Sequence, residues 1–186
     1  SIHTLHGRSI PVATGIKLMR PDLNVVVFGG DGDIVGIGLG HFIHAARRNM
    51  DILVIMVNNM VYGMTGGQVA PTTPFKAKTT TTPYGSFEHP LDAARLAATA
   101  GASYVSRWTT AHPKELKESI KNALKMKGFR LVEAVSQCPT AFGRRARFKD
   151  AGEMLKWFKE NAIPIAKAEK LREDDLAEKI VVGEIV

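Results

Sequence analysis

Two apolar runs that each end in a polar cluster constrain this chain more than any other feature. The first, VVVF at 25–28, closes on Gly30, Asp31, Gly32 and Asp33; the second, ILVIMV at 52–57, closes on Asn58 and Asn59. Apolar runs of this length bounded by turn residues read as buried β-strands, and the segment between them, 34–48, reads as a helix. A right-handed crossover makes two strands joined in this way parallel. Both polar clusters then lie on one carboxyl edge, where open α/β sheets bind ligands and where the helix start offers free N–H groups to a phosphate.

The residue types at that edge suit a magnesium-bridged diphosphate. Magnesium takes about six hard oxygen ligands and shares them between one or two carboxylates and substrate phosphates. Asp31 supplies a carboxylate, Asn59 an amide oxygen, and the backbone carbonyl of Val61 is the candidate third protein ligand. Gly30 and Gly32 carry no Cβ to hold a phosphate away. Gly-Asp-Gly and Asn-Asn are each common turn sequences, and either alone is punctuation; together, at two strand ends with a helix between, they point to a thiamine diphosphate site. A Rossmann dinucleotide fold is the nearest competitor. Its G-x-G-x-x-G spacing is missing, because Gly36 falls one residue too late, and the second strand ends in Asn58 where a ribose-binding acid is expected.

At these residues the chain resembles the β subunits of the 2-oxoacid:ferredoxin oxidoreductases, in particular the 2-oxoglutarate branch. The matching segments cover nearly all of it: HTLHGRSIPVATGIK at 3–17, the GDGD and NN pair, YGMTGGQ at 62–68, TTPYGSFEHPLDAARLAATAGASYV at 81–105, RWTTAHPKEL and SQCPTAFGR. The resemblance implies an oxidative decarboxylation of a 2-oxoacid to its acyl-coenzyme A, with electrons passed through a 4Fe–4S cluster to ferredoxin. It assigns Mg²⁺ to Asp31, Asn59 and the Val61 carbonyl, the diphosphate to Gly30, Gly32 and Asp33, and places Thr65 and His6 near the cofactor. It also implies an α subunit, which supplies the carboxylate that activates the cofactor's aminopyrimidine ring. No catalytic residue is assigned on this chain, which is expected to be inactive alone.

Two departures from the family pattern bear on these expectations. The Cys-rich segment with which β subunits of the family begin has no counterpart here. Cys138, the single cysteine, matches the last cluster ligand, and one thiolate cannot hold a cluster that generally wants four. The start at Ser1 reads as that of a fragment or a processed product. The second departure concerns substrate choice: pyruvate-acting relatives carry Ser-Asn where this chain has Gly63 and Met64, which argues against pyruvate without establishing 2-oxoglutarate, whose distal carboxylate needs a cationic group that the sequence does not assign. The alternatives are a non-catalytic truncated assembly module and a thiamine diphosphate decarboxylase or transferase without electron transfer.

The remaining sequence is expected to continue in α/β order: helix 91–100, strand 104–107, a helix from Pro113, strand 130–135 and a short helix at 152–160. The whole is expected to be α/β, an open and mainly parallel sheet with helices on both faces, in the manner of a thiamine diphosphate-binding fold. Residues 1–150 read as the thiamine diphosphate and Mg-binding domain, and 151–186 as a C-terminal helix and charged tail. The Thr- and Pro-rich stretch 71–90 reads as a long surface loop that covers the cofactor, contacts a partner chain, or does neither.

With 45% hydrophobic and 23% charged residues, the composition is ordinary for one soluble domain. No apolar run is long enough for a membrane span, and a lone cysteine rules out an intrachain disulfide, which fits a reducing cytoplasm. A net charge of +7 invites a nucleic-acid reading, but the densest basic cluster, Arg144, Arg145, Arg147 and Lys149, lacks interleaved aromatics and any nucleic-acid motif. Beside Cys138 it is a candidate docking patch for an acidic ferredoxin, a contact for the coenzyme A 3′-phosphate, or a solvated loop. His41 and His44, three apart on the expected helix, lack a third ligand and read as one packed and one solvated imidazole.

Overall fold

The computed structural model describes residues 1–176 and 179–186. Its centre is a parallel block of four strands, β1 (Val26–Gly30), β2 (Leu53–Asn58), β5 (Tyr104–Thr109) and β6 (Arg130–Val135), adjacent in the order β1-β2-β6-β5. β2 is flanked on both sides and covered on both faces, which is why its run is apolar almost throughout. Its side chains alternate between two cores. Val54 and Met56 pack with helices α1 (Ser9–Met19), α2 (Leu39–Arg47) and α3 (Ala93–Ala100), around Phe42 and Phe129. Leu53 and Ile55 pack on the opposite face with Leu116, Ile120 and Ala123 of α4 (Pro113–Lys125). The sheet is therefore open, mainly parallel and covered by helices on both faces, as expected from the sequence.

Helix boundaries follow local chemistry. α4 starts with Pro113 at its first position, carries Glu115 in its first turn and Lys125 in its last. Asp92 caps α3 by accepting from the Arg95 N–H at 3.0 Å, and Gly101 ends it at φ +103°. α5 (Ala151–Asn161) is capped by Asp150, which accepts from the Glu153 N–H at 2.9 Å.

Three elements differ from expectation. The helix expected at 34–48 opens instead as a wide π-helical turn, Gly32–Ile37, that breaks at Gly36 (φ −90°, ψ −106°) before α2 begins. The Tyr62 ring fills the concave side of this turn, and the glycines make room for it: a Cβ on Gly32 would lie 2.2 Å from Tyr62 Cε1, and one on Gly36 2.3 Å from its hydroxyl. α1 was not foreseen, although Ile10, Ala13 and Lys17 mark its buried side. The charged tail contains more than a helix. β7 (Ala162–Pro164) and β8 (Ile180–Glu184) extend the sheet to the order β1-β2-β6-β5-β8-β7, with β8 antiparallel to β5.

The Tyr62 packing makes a direct prediction. Gly32→Ala should cost about 1–3 kcal/mol through overpacking, and combining it with Tyr62→Leu should recover part of that loss. Gly15→Ala, in α1 with nothing within 4 Å of the new methyl, should instead stabilise by about 0.5–1 kcal/mol. Urea unfolding of the three variants decides; equal effects at positions 15 and 32 would contradict the packing argument.

Candidate cofactor site at the carboxyl edge of the sheet

The strand register sets Gly30 opposite Val57, and Asn58 opposite Val135. The turns leaving β1 and β2 therefore meet. Asp31 follows β1 directly and is only 2% exposed. Its Oδ2 accepts a short hydrogen bond from the Thr72 hydroxyl, and its Oδ1 lies 3.5 Å from the Asn59 N–H. Burial pushes the Asp31 carboxyl above the usual carboxylate range, and the bonds from Thr72 and Asn59 pull the other way only in part.

The turn after β2 is shaped by side chains acting on the backbone. Asn58 Oδ1 accepts from the Met60 N–H at 3.1 Å and Asn59 Oδ1 from the Val61 N–H at 3.2 Å. Between them Met60 is held at φ +68°, a left-handed conformation that long side chains rarely adopt. Val61 then opens a two-residue hairpin, β3 (Val61–Tyr62) with β4 (Gln68–Val69). Asn59 and Val61 are thus presented beside Asp31.

Other candidate residues fall into distinct places. Asp33 turns toward the N-terminal segment: Oδ1 accepts from the Gly7 N–H at 2.5 Å and lies 2.9 Å from His6 Nδ1, and Oδ2 lies 3.5 Å from the Ser9 hydroxyl. The His6 ring meets Tyr62 edge-on at 6.0 Å between centroids, so residues 6–9 lie over the Gly-Asp-Gly turn. Burial, reinforced by the negative charges of Asp31 and Asp33, raises the Tyr62 phenol. Thr65, at the hairpin tip, donates its hydroxyl to Gln68 Oε1 at 2.6 Å and is exposed. Cys138 follows β6, and a Cβ on Gly63 would lie 3.5 Å from its Sγ. Arg144, Arg145, Arg147 and Lys149 are all exposed just past the turn Pro139–Gly143 that Cys138 opens. Arg8 Nη1 donates to His41 Nε2 at 2.8 Å.

Thr72 was missed by sequence reasoning because it lies in the stretch read as a surface loop. That stretch has no helix or strand, but it is docked rather than loose. Thr72, Thr73, Thr79 and Ser86 are buried. The Thr79 hydroxyl accepts from the N–H of Thr82 at 3.1 Å, the Thr73 hydroxyl donates to the Met60 carbonyl at 2.6 Å, and Thr80 N–H reaches Gly67 O at 2.9 Å. The Thr-rich composition is the signal: hydroxyls supply the hydrogen bonds that a strandless segment needs.

The donor set fits Mg²⁺ and a diphosphate. A buried carboxylate held by neutral donors alone is costly and is satisfied by a cation; Asp31 has two such donors and, among the described residues, no ion-pair partner. Gly30 differs from Gly32 in that its missing side chain is not demanded by the protein, since a Cβ there meets only Val57 O at 4.0 Å. The space it leaves is open for a ligand. The chain's single thiolate does not by itself fit a 4Fe–4S cluster.

Comparison with known proteins identifies the family. The family model described as thiamine pyrophosphate enzyme, C-terminal TPP binding domain, matches residues 1–134. The chain is 55% identical over its whole length to 2-oxoglutarate synthase subunit KorB of Methanocaldococcus jannaschii, covering 69% of that protein. It is 55% identical over 99% of its length to the KorB of Methanothermobacter thermautotrophicus, covering 64%. The solved 2-oxoglutarate:ferredoxin oxidoreductase from Magnetococcus marinus, with 2-oxoglutarate, coenzyme A and succinyl-CoA bound, superposes on 98% of the chain at TM-score 0.82 and 36% identity, the match covering 63% of that chain. This chain belongs to the thiamine pyrophosphate enzymes and, within them, to the β subunits of 2-oxoacid:ferredoxin oxidoreductases. It spans about two thirds of the length of the relatives it matches.

Proposed function

We propose that the chain is the cofactor-binding part of a cytoplasmic enzyme that oxidatively decarboxylates 2-oxoglutarate to its acyl-coenzyme A and delivers the electrons to ferredoxin. The observation that carries the reading is the buried Asp31 carboxylate, which has no ion-pair partner among the described residues and faces the Asn59 turn. Asp31, Asn59 and the Val61 carbonyl hold Mg²⁺ in this reading, and the Gly30 and Gly32 backbone approaches the diphosphate, with Asp33 fixing the N-terminal segment, His6 included, over the same turn. In the same reading Thr65, at the hairpin tip, borders the cofactor. Bound thiamine diphosphate supplies the nucleophilic carbon at which the 2-oxoacid loses carbon dioxide. Cys138 is one ligand of an iron–sulfur cluster whose other thiolates lie elsewhere in the complete subunit.

An α subunit closing the site is supported by apolar side chains left bare on the segments that build it. Phe28, two residues before Gly30, is 72% exposed, and Ile37, Met64 and Tyr84 are exposed as well. Preference for 2-oxoglutarate is supported by the likeness to the two KorB subunits and the Magnetococcus marinus oxidoreductase, and Gly63 and Met64 argue against pyruvate. The test is dye reduction by the complete complex, with Mg²⁺, thiamine diphosphate and coenzyme A, across a panel of 2-oxoacids. The expected result is a kcat/KM for 2-oxoglutarate at least tenfold above that for pyruvate; a faster pyruvate reaction overturns the substrate assignment, and turnover without the cofactor overturns the function.

A further inference from the structure

A polar chain, buried at Asn58 and Glu133, crosses the sheet from the candidate site to the start of α3. Asn58 Nδ2 donates to Glu133 Oε1 at 2.8 Å, and Arg107 Nε donates to Glu133 Oε2 at 2.7 Å. Arg107 also pairs closely with Asp92, the residue that caps α3. Glu133 is 1% exposed, at the centre of the sheet, and both of its oxygens are engaged. β6 and β5 place Glu133 and Arg107 directly opposite each other, and β2 places Asn58 two residues beyond Met56, the partner of Glu133.

A carboxylate in the middle of a parallel sheet is costly, and packed apolar residues often serve stability as well or better than a buried ion pair. The direction in which this one acts is informative. Its free end grips the Asn58 amide, which leaves Asn58 Oδ1 aimed at the Met60 N–H. Glu133 also fixes which way the amide faces, because only the NH₂ group can donate to a carboxylate. With the amide turned over, the Met60 N–H would lose its acceptor, and the Thr73 hydroxyl on the Met60 carbonyl would be the side-chain bond left to a residue at φ +68°.

We infer that Glu133, oriented by Arg107 and acting through Asn58, is a positioning residue for the metal-binding turn, setting Asn59 and Val61 at the spacing Mg²⁺ requires. The inference rests on the reading of Asp31 and Asn59 as metal ligands. Residues that orient ligands without touching the metal typically govern about 10–100-fold in metal affinity.

The test uses the complete complex stripped of cofactor and measures the Mg²⁺ concentration for half-maximal thiamine diphosphate binding by calorimetry, together with hydrogen exchange of the Met60 amide in the metal-free state. Asn58→Ala and Glu133→Gln are each expected to raise the Mg²⁺ half-saturation about tenfold or more and to speed Met60 exchange, while thiamine diphosphate affinity at saturating Mg²⁺ stays within about threefold. The double swap Asn58→Asp with Glu133→Gln rebuilds the chain of bonds with donor and acceptor exchanged, and is expected to restore slow Met60 exchange. A purely structural role would lower the melting temperature without moving the Mg²⁺ midpoint. If Glu133→Gln does not fold, Asn58→Ala decides, because it leaves the Glu133–Arg107 pair intact. A folded Asn58→Ala complex with an unchanged Mg²⁺ midpoint overturns the inference while Asn59→Ala, by losing Mg²⁺ dependence, upholds the site. Unchanged Mg²⁺ dependence in Asn59→Ala removes the site reading itself, and the inference with it.

Discussion

Asp31→Asn will abolish Mg²⁺-dependent binding of thiamine diphosphate and at the same time make the metal-free chain more stable at neutral pH. The amide retains the shape of the carboxyl and an oxygen for the Thr72 hydroxyl, but it removes the negative charge. On the proposed reading Mg²⁺ thereby loses its one carboxylate ligand at this edge, and cofactor affinity is expected to fall by at least 100-fold, about 2.7 kcal/mol. The stability gain follows from linkage. Burial raises the Asp31 carboxyl above its unfolded value, so its contribution is favourable below the ordinary carboxylate range, near pH 4, and is lost as pH rises through the raised folded value. At pH 7 without metal, the wild-type fold therefore bears a buried charge that the variant lacks. Melting temperatures in chelator across pH 4–8 check this: the advantage of Asp31→Asn should be largest at pH 7 and shrink toward pH 4. Retained Mg²⁺-dependent binding, or a variant less stable than wild type at pH 7, would contradict the assignment.

The second large effect lies away from the site. Arg107 is the cation shared by Glu133 and Asp92. Burial alone would work against its charge, but the two carboxylates outweigh that and raise it above its ordinary value. Replacing it by Met, which keeps the aliphatic bulk, strands the Glu133 carboxylate in the sheet. Breaking such a pair from one side costs about 3–5 kcal/mol, a large part of the roughly 5–15 kcal/mol that holds a domain together. For a chain of this size the melting temperature should fall on the order of 10 °C. Adding Glu133→Gln to Arg107→Met should recover most of the loss, since the stranded charge is then gone. A drop of less than a few degrees in Arg107→Met would mean that water or another cation reaches Glu133. The pair has a consequence at acid pH as well. Burial opposes ionisation of Asp92, yet Arg107 and the Arg95 N–H more than compensate and hold its carboxyl below the usual range. Its contribution is present above the ordinary carboxylate range and is lost as pH falls through the depressed value.

Much of the sheet was legible because its code is local. The strand 130–135 matches β6 residue for residue, and β2 differs from its apolar run by a single position at each end. Pro113 marks the start of α4 by its own backbone preference. The site was legible for the same reason: a carboxylate between glycines and a pair of amides, each at a strand end, can be placed on one sheet edge before any coordinate is known. The missed elements depend on partners distant in sequence. The π-helical opening of 32–37 exists because Tyr62, thirty residues on, needs the space that Gly32 and Gly36 leave. β8 is a strand because β5 offers it an edge, and no periodicity in a short charged tail announces that.

The sequence by itself determined that Asp31 and Asn59 stand on one carboxyl edge of a parallel α/β sheet, because strand ends and crossover handedness follow from apolar runs, turns and chirality. Only the tertiary structure decided that Thr72 completes the Asp31 pocket, that Asp33 is drawn to Gly7 and His6, and that Glu133 and Arg107 reach the Asn59 turn through Asn58. Those are contacts between side chains brought together by strand register and loop docking, and hydrogen-bond geometry between distant segments is set by packing that no local stretch encodes.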